Sequence, residues 1–319
     1  MSDLSLIDLK PTTSISRAEV ISGLTRHNKS IAPKFLYDER GSELFEQITT
    51  LPEYYLTRTE VAILRRNARA MAQHIGAGAA LIEFGSGSSG KVRWLLEPLS
   101  PVAYLPVDIS REALRNAADD VQRDYPWLRV VPICADYSQP FTLPARLPKA
   151  TPRVAFFPGS SVGNFEPHDA VRFLSHAAKL VGPDGHLLIG IDLKKDPDVI
   201  DRAYNDAQGV TAEFNLNVLS HLNQALGADF DLSAFDHRAR YNAARGCVEI
   251  HLVSRTAQTV TIGGSQIRLN AGEAIHTENS YKYEPAQFDR LAEMAGFVTQ
   301  QRWTDAKGWF AVILYRAAA

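Results

Sequence analysis

The residues best suited to hold a ligand form a glycine-rich segment, Glu83-Phe84-Gly85-Ser86-Gly87-Ser88-Ser89-Gly90-Lys91. It follows a short apolar run, and its three glycines have the G-x-G-x-x-G spacing of dinucleotide-binding loops. Glycines at these positions let the backbone turn sharply and approach a ligand closely. The spacing alone is weak support for a ligand site, because a tight turn between a strand and a helix needs the same residues.

Acidic residues downstream strengthen the ligand interpretation. Asp108 lies 23 positions after Gly85, at the predicted end of the second strand. A carboxylate there can accept hydrogen bonds from both ribose hydroxyls of a nucleoside. Asp136 and Tyr137 follow the third predicted strand, although Asp136 could also be a loop carboxylate without a ligand. The spacing suits a nicotinamide cofactor and S-adenosylmethionine equally.

Two features favour S-adenosylmethionine. Glu83 stands two residues before Gly85, and the resulting E-x-G-x-G resembles the first motif of class I methyltransferases. Asp136 and Tyr137 stand where such enzymes place residues against the adenine. S-adenosylmethionine has no phosphate, so its loop needs only close backbone approach, whereas dinucleotide cofactors use a helix N-terminus for pyrophosphate. We therefore predict a methyltransferase and keep a nicotinamide-dependent oxidoreductase as an alternative.

Alternating strand and helix patterns place this loop in a doubly wound α/β sheet. Continuous apolar runs, typical of parallel strands covered on both faces, predict strands over 80–84, 104–109, 129–134, 154–157 and 186–193. Helices are predicted over 60–75, 111–123, 167–181 and 285–295. A closing pair of strands over 298–304 and 309–316 brings the total to seven, as in a Rossmann-like class I methyltransferase.

The alternation breaks between about residues 197 and 286. A long helix is predicted over 199–226, followed by strands over 247–258, 259–262 and 266–269, with a hairpin turn at Gly263-Gly264-Ser265. We interpret this segment as part of a second, smaller α+β substrate lobe. The predicted domains are a methyltransferase core of residues 61–195 with 287–319, and a substrate-binding lobe of residues 1–60 with 196–286.

Composition excludes several classes of protein. Lys and Arg number 34 against 36 Asp and Glu, so no basic surplus favours nucleic acid. Two cysteines are too few for a disulfide scaffold, and neither they nor the nine histidines have metal-ligand spacing. The sequence has no signal-peptide pattern and no apolar stretch near the ~18–20 residues of a membrane span. We expect a soluble cytoplasmic protein without a metal, a nucleic-acid partner or a membrane partner.

Several short words together resemble the histidine Nα-methyltransferases of ergothioneine biosynthesis and related betaine-forming enzymes. The words lie in the family's order over about residues 34 to 283, nearly the whole chain. They are KFLYD at 34–38, GSELF at 41–45, LPEYY at 51–55, TRTE at 57–60, FPGSSVGN at 157–164, AYND at 203–206, GVTAEFN at 209–215 and TENS at 277–280. The LPEYY and GSSVGN words are far more specific than any glycine loop.

The resemblance implies S-adenosylmethionine as methyl donor and L-histidine as substrate, held between the core and the lobe. By position it implies that the cofactor is held by Gly85, Lys91, Asp108, Asp136 and Tyr137. It implies that the substrate pocket is lined by Tyr37, Tyr54, Asn164, Tyr204, Glu278 and Ser280. In one departure, Ile250 stands where the family pattern has Met, and we expect a small effect because the two side chains have similar volumes.

Four of the six substrate residues also have an ordinary structural interpretation. Tyr54 and Tyr204 could be packing residues, Asn164 could cap a helix, and Glu278 could be a solvated charge. Against this, strand alternation puts positions 278 and 280 on one face. A carboxylate and a hydroxyl there can satisfy a ring with one N–H and one bare nitrogen. This pair favours histidine over an aromatic amino acid such as tryptophan.

The expected chemistry is in-line displacement at the sulfonium methyl by the amine lone pair, which mainly requires positioning. The ammonium must first lose a proton, and we assign no catalytic residue to that step. Three methylations would give Nα,Nα,Nα-trimethylhistidine (hercynine). Besides the oxidoreductase, the alternatives are an α-N-methyltransferase of another amino acid or amine, and a non-catalytic S-adenosylmethionine-binding module.

Overall fold

The computed structural model describes residues 6–9, 15–87, 90–143 and 152–318, in two compact units. Unit 1 comprises Met1–Thr13, Arg58–Lys194 and Tyr283–Ala319. Unit 2 comprises Ser14–Thr57 and Lys195–Lys282. Within these described ranges, no helix combines the length and apolar character needed to cross a membrane.

Fourteen strands and nine α-helices are found in the described ranges. The strands are β1 (Ile7–Asp8), β2 (Lys29–Ser30), β3 (Ala80–Phe84), β4 (Ala103–Asp108), β5 (Ile133–Cys134), β6 (Arg153–Phe157), β7 (His186–Asp192), β8 (Phe235–Asn242), β9 (Cys247–Ser254), β10 (Gln258–Ile262), β11 (Ser265–Leu269), β12 (Ala274–Tyr281), β13 (Phe297–Thr304) and β14 (Phe310–Ala317). The helices are α1 (Arg17–Leu24), α2 (Glu39–Thr50), α3 (Tyr55–Ile75), α4 (Arg93–Leu99), α5 (Arg111–Asp124), α6 (Pro167–Val181), α7 (Pro197–Ala203), α8 (Val210–Leu226) and α9 (Pro285–Met294).

Unit 1 is built on an eight-stranded mixed sheet in the order β1-β5-β4-β3-β6-β7-β14-β13. The strands from β1 to β7 pair in parallel, and β14 pairs antiparallel with both β7 and β13. The chain order reverses direction at β3, and in open α/β sheets ligands bind beyond the carboxyl ends of the strands at such a point. Every residue of β3 and β7 is buried, which explains their uninterrupted apolar sequences.

The predicted α/β class is confirmed, with two corrections to the strands. The sheet has an eighth, edge strand, β1, whose two residues are too few to show a pattern. The third predicted strand, 129–134, is reduced to Ile133–Cys134 with an isolated bridge between Tyr104 and Val130. Pro132 interrupts that segment because proline has no N–H to donate to a ladder.

Unit 2 contains a four-stranded sheet in the order β2-β12-β9-β8 and a separate hairpin, β10–β11. The hairpin turns at Gly263 and Gly264, as the sequence predicts, and both have positive φ. The prediction of a single helix over 199–226 is wrong, because the segment forms two helices, α7 and α8. Asp206 accepts hydrogen bonds from the N–H groups of Val210 (2.9 Å) and Thr211 (2.8 Å), and thereby caps α8 as a new helix.

Candidate active site

The glycine loop turns directly after β3. Gly85 has a φ of +70°, which a residue with a Cβ adopts at a cost, and its N–H donates to the Val107 carbonyl at 2.9 Å. A Cβ added at Gly85 would lie 3.9 Å from the Tyr137 Oη, and one at Gly87 would lie 3.7 Å from the Asp108 Oδ2. The loop backbone therefore lies against two of the predicted cofactor residues.

Asp108 ends β4 with its carboxylate held by the backbone. Its Oδ1 accepts a hydrogen bond from the Ser110 N–H at 2.9 Å. Burial raises the pKa of this carboxyl, and backbone hydrogen bonds from Ser110, Ile109 and Gly87 oppose that rise. The Asp108 side chain is thus fixed beside the glycine loop. A nucleoside that binds Asp108 must approach the backbone of that loop closely, which the glycines allow.

The Asp136-Tyr137 pair lies after β5. The Asp136 Oδ1 accepts hydrogen bonds from the Ser138 N–H (2.9 Å) and Oγ (2.6 Å), which closes a local turn. The Tyr137 ring contacts Phe157 edge-on, with centroids 5.6 Å apart, and Phe84 at 6.1 Å. These rings form an apolar aromatic wall, a surface suited to a flat base.

Glu83, which supplied the acidic letter of the glycine motif, is buried inside the sheet. It accepts a hydrogen bond from the Tyr104 hydroxyl on the neighbouring β4. Burial raises the pKa of Glu83 to about 8, although Tyr104 and the charge of Lys91 act in the opposite direction. At neutral pH this carboxyl is therefore mostly protonated.

Glu60, to which the sequence assigned no role, connects two loops of unit 1. Its side chain is completely buried, and its Oε2 lies 2.7 Å from the Lys91 Nζ at the end of the glycine loop. The Gly159 N–H donates to both carboxylate oxygens, at 3.0 and 2.9 Å. A Cβ at Gly190 would come within 2.0 Å of the Glu60 Oε1, so β7 needs a glycine there.

Asn164 follows the loop that Glu60 holds. It ends a 3-10 helix, Ser161–Asn164, that begins two residues after Gly159. The loop is bent at Ser160, whose φ is +58°, and the Ser160 Oγ accepts a hydrogen bond from the Asp192 N–H at 2.9 Å. Hence Glu60 and Ser160 together fix the segment that carries Asn164.

In unit 2, three predicted tyrosines share one aromatic neighbourhood. The Tyr37 ring contacts Phe45 at 5.8 Å between centroids and Phe214 at 5.5 Å. The Tyr54 ring contacts Phe45 at 6.4 Å and Tyr204 at 6.2 Å. These ring contacts agree with a packing role for the tyrosines. They also mean that the three hydroxyls are carried by one apolar cluster of rings.

Polar groups of β12 meet these tyrosines. The Tyr204 and Ser280 hydroxyls are 2.8 Å apart, and Tyr37 hydrogen-bonds the Glu278 side chain. Burial raises the pKa of Glu278 to about 8, against the opposing influence of Lys282 and Tyr37. Glu278 is therefore not a solvated charge. Its register partner on β9 is Ile250, which is also buried and is the residue at which the resemblance leads us to expect methionine.

The sequence reasoning missed Lys282. Its side chain is only 1% exposed, and its Nζ donates to the Tyr204 Oη (2.7 Å) and the Ser280 Oγ (2.9 Å). The alternation that placed positions 278 and 280 on one face extends to 282, so the signal was present.

The predicted site residues divide between the two units. All five cofactor residues lie in unit 1, together with Asn164, and the other five substrate residues lie in unit 2. Among the described residues, no three His, Cys, Asp or Glu side chains are grouped to hold a metal ion.

The sequence model of one protein family, described as histidine-specific, S-adenosylmethionine-dependent methyltransferases, matches residues 16–317. The chain belongs to this family. As in the family, S-adenosylmethionine is the methyl donor, and the nicotinamide alternative is set aside. The glycine loop fits this donor, because Gly85 and Gly87 leave backbone exposed beside Asp108 and Tyr137 without a side chain between them.

Individual proteins agree with the family assignment. A histidine N-alpha-methyltransferase of Mycolicibacterium smegmatis is 40% identical over 304 residues, covering 93% of this chain and 94% of that protein. An ergothioneine biosynthesis protein 1 of Neurospora crassa is 33% identical and covers 84% of this chain, but the match spans only 31% of that longer protein. Among solved structures, a possible exported protein from Bordetella parapertussis has a TM-score of 0.51 at 15% identity, covering 95% of this chain and 87% of that one, a likeness of fold alone.

Proposed function

We propose that this methyltransferase acts on the α-amino group of L-histidine and adds three methyl groups in succession, giving hercynine for ergothioneine biosynthesis. Family membership supports methylation of histidine, and the relatives named above support the pathway. The observation that carries the choice of substrate is the pair of buried polar side chains, Glu278 and Ser280, on one face of β12. The number of methyl groups is part of the proposal.

In this proposal the pair recognises the imidazole ring. Glu278 accepts from the ring N–H, and Ser280 hydrogen-bonds the bare nitrogen. A benzyl or indole ring cannot make both hydrogen bonds to this pair, although each group keeps its partners within the protein. A hydrogen bond left unmade at a buried polar group costs about 1–3 kcal/mol. That energy corresponds to roughly one to two decades of discrimination, at about 1.4 kcal/mol per tenfold.

The amino-acid backbone of the substrate is assigned to Asn164 and Tyr204. The family words contain one arginine, Arg58 in TRTE, to which we assign no role, and they show no evident arginine clamp for a carboxylate. An amide and a phenol are therefore the groups offered to the α-carboxylate and α-amine. A few such groups fix orientation in a mostly apolar pocket. Tyr204 is itself held by Ser280 and Lys282, which supports a fixed position for its hydroxyl.

The chain's contribution to the reaction is positioning. S-adenosylmethionine, when bound, supplies an electrophilic methyl group for in-line transfer to nitrogen. Asp108 and the glycine loop hold the nucleoside. Lys91, whose ammonium is oriented by Glu60, contributes to cofactor binding at the end of that loop. The tyrosine rings also suit the cationic methylated amine, because a quaternary ammonium is attracted to aromatic faces.

A methylation assay across the twenty amino acids, with products resolved by mass spectrometry, tests the proposal. We expect histidine to be the best substrate and its final product to carry three methyl groups. Asp108→Ala is the matched control for background methylation. Preference for another amino acid would transfer the activity to a different substrate, and cofactor binding without turnover of any amino acid would favour a non-catalytic module. A product that stops at one or two methyl groups would refute trimethylation alone.

A further inference from the structure

Three polar groups of unit 2 form a closed triangle. The Lys282 Nζ lies 2.7 Å from the Tyr204 Oη and 2.9 Å from the Ser280 Oγ, and the two oxygens lie 2.8 Å apart. The three residues are all buried. A buried ammonium is costly unless its hydrogen bonds are satisfied and an opposite charge is near. Lys282 lowers the pKa of Glu278, so the carboxylate form of Glu278 is the opposite charge that Lys282 favours.

The directions of these hydrogen bonds follow from the chemistry of the groups. An ammonium only donates, so both hydroxyl oxygens accept from Lys282. A phenol that accepts from a cation becomes a stronger acid and hence a better donor than an aliphatic hydroxyl. The geometry allows either hydroxyl to donate, and on this chemical ground we assign Tyr204 as the donor to Ser280. The Ser280 Oγ then accepts two hydrogen bonds, which occupy both of its lone pairs, and its own O–H can act only as a donor.

The same lysine acts on the acceptor of the pair. Glu278 lies two residues before Ser280 on β12, and burial holds the pKa of its carboxyl at about 8. The positive charge of Lys282 opposes that rise and favours the carboxylate. The carboxyl, like that of Glu83, is mostly protonated at neutral pH and becomes a carboxylate, which accepts hydrogen bonds but does not donate them, as the pH rises through about 8. One face of β12 thus offers one donor and, once Glu278 is ionised, one group that only accepts.

We infer that Lys282 is a positioning residue that fixes this polarity, making Ser280 the donor and Glu278 the acceptor, so that the pair binds the neutral imidazole ring in a single orientation. The inference rests on the proposed function, since the ring must belong to the bound histidine. The N–H of the ring is directed to Glu278 and the bare nitrogen to Ser280. Lys282 selects for histidine through its two neighbours.

The test compares two substrates in two enzymes. The substrates are L-histidine and 3-(2-thienyl)alanine, whose five-membered ring has neither an N–H nor a bare nitrogen. The enzymes are the wild type and Lys282→Met, which keeps an apolar stem of similar length without the charge. Lys282 also holds Tyr204, which we assign to the backbone common to both substrates, so kcat/KM should fall for both. We expect the fall for histidine to be about ten- to a hundredfold larger than the fall for thienylalanine, mainly through KM. A merely structural lysine would lower both by the same factor, which would overturn the inference.

A second readout is the pH profile. Removing a positive charge near Glu278 raises the pKa of its carboxyl, so the limb of kcat/KM for histidine that rises with pH should move to higher pH in Lys282→Met. An unmoved limb contradicts the inference. Thermal unfolding checks folding, because Lys282 lies in unit 2 and cofactor binding by the predicted residues of unit 1 would not report on that unit. If Lys282→Met does not fold, Lys282→Gln is measured with the same expected selectivity loss.

The outcomes separate this inference from the proposed function. If the wild type does not methylate histidine, the proposed function fails first. If the wild type methylates histidine and the lysine variants lose both substrates equally, only the role of Lys282 fails. In a Ser280→Ala background, Lys282→Met should lower histidine kcat/KM by clearly less than it does in the wild type, because the donor that it orients is gone.

Discussion

Replacing Glu60 tests the connection between the glycine loop and the loop that carries Asn164. Glu60→Ala leaves the Lys91 ammonium without its carboxylate at 2.7 Å and the Gly159 N–H without its acceptor. Breaking a buried ion pair by removing one partner costs about 3–5 kcal/mol. Because the Lys91 side chain keeps 20% exposure and can turn to water, the lower part of that range applies.

The expected loss of unfolding free energy for Glu60→Ala is thus about 3–4 kcal/mol. It combines the cost of the Gly159 N–H without an acceptor with a cost for unpaired Lys91 that partial exposure reduces. At ~2–4 °C for each kcal/mol in a chain of this size, the thermal midpoint should fall by about 6–16 °C. Glu60→Gln keeps an oxygen for the Gly159 N–H and should lose about 1–2 kcal/mol. Both variants should also bind S-adenosylmethionine more weakly, because Lys91 is no longer oriented.

Thermal unfolding and calorimetric titration with S-adenosylmethionine measure these effects. The matched control is Asp120→Ala, which removes an exposed ion pair of unit 1, with Arg123 at 2.6 Å. Such exposed pairs contribute about 0–1 kcal/mol. If Glu60→Ala melts no lower than Asp120→Ala, the reasoning about the buried pair is wrong.

Four further expectations concern the site. Asp108→Ala should weaken S-adenosylmethionine binding by about 1.5–3 kcal/mol, and unchanged calorimetric affinity would remove this residue from the cofactor site. Tyr204→Phe should lower histidine affinity or turnover, and intact values for both would contradict its assignment. Glu278→Ala should lose activity on histidine and narrow or reverse the preference over tryptophan. Equal losses of kcat/KM for the two amino acids would show that Glu278 does not read the ring. Thermal stability should fall as pH rises from about 4.5 to about 8, less steeply in Glu278→Gln, and equal slopes would refute the buried-carboxyl explanation.

The sequence predicts unit 1 well because its elements have local signals. Strands buried on both faces are continuous apolar runs, and β3 was predicted with the bounds that the structure gives. The helix predicted over 167–181 also has the observed bounds of α6, because Pro167 begins it and Gly182, with a φ of +76°, ends it. In such segments the local pattern and the tertiary environment agree.

Unit 2 is harder to predict because its signals are tertiary. In β8 only Phe235 and Ala239 are buried, so the strand is mostly polar in sequence and was not predicted. The break between α7 and α8 depends on a side-chain cap by Asp206, which a helical apolar pattern does not reveal. Such features are fixed by contacts rather than by periodicity.

The site residues show the same division. The glycine loop and Asp108 have a characteristic spacing, so the sequence suffices to propose them. The contacts of Glu60 with Lys91 and Gly159 join positions 31 and 99 residues apart, and no local pattern encodes them. Lys282 lies between these two cases. The strand alternation of positions 278 and 280 extends to it, but the words that match the family end at residue 280.

The buried carboxyls explain why stability and activity should respond to pH in opposite directions. Burial holds the pKa of both Glu83 and Glu278 at about 8, against an ordinary value of 4.5. Between these values the folded chain binds more protons than the unfolded chain, so the stabilisation present below pH 4.5 is lost as pH rises toward 8. In the proposed function ionised Glu278 accepts from the imidazole N–H, so histidine kcat/KM should rise as pH approaches 8. Glu60 is placed differently, because Lys91 and the Gly159 N–H contact its carboxylate directly. The partners of Glu60 thus lie within unit 1, whereas Glu278, which we propose to face the substrate, is influenced by Lys282 and Tyr37 and, in the proposed function, by the ring that it binds.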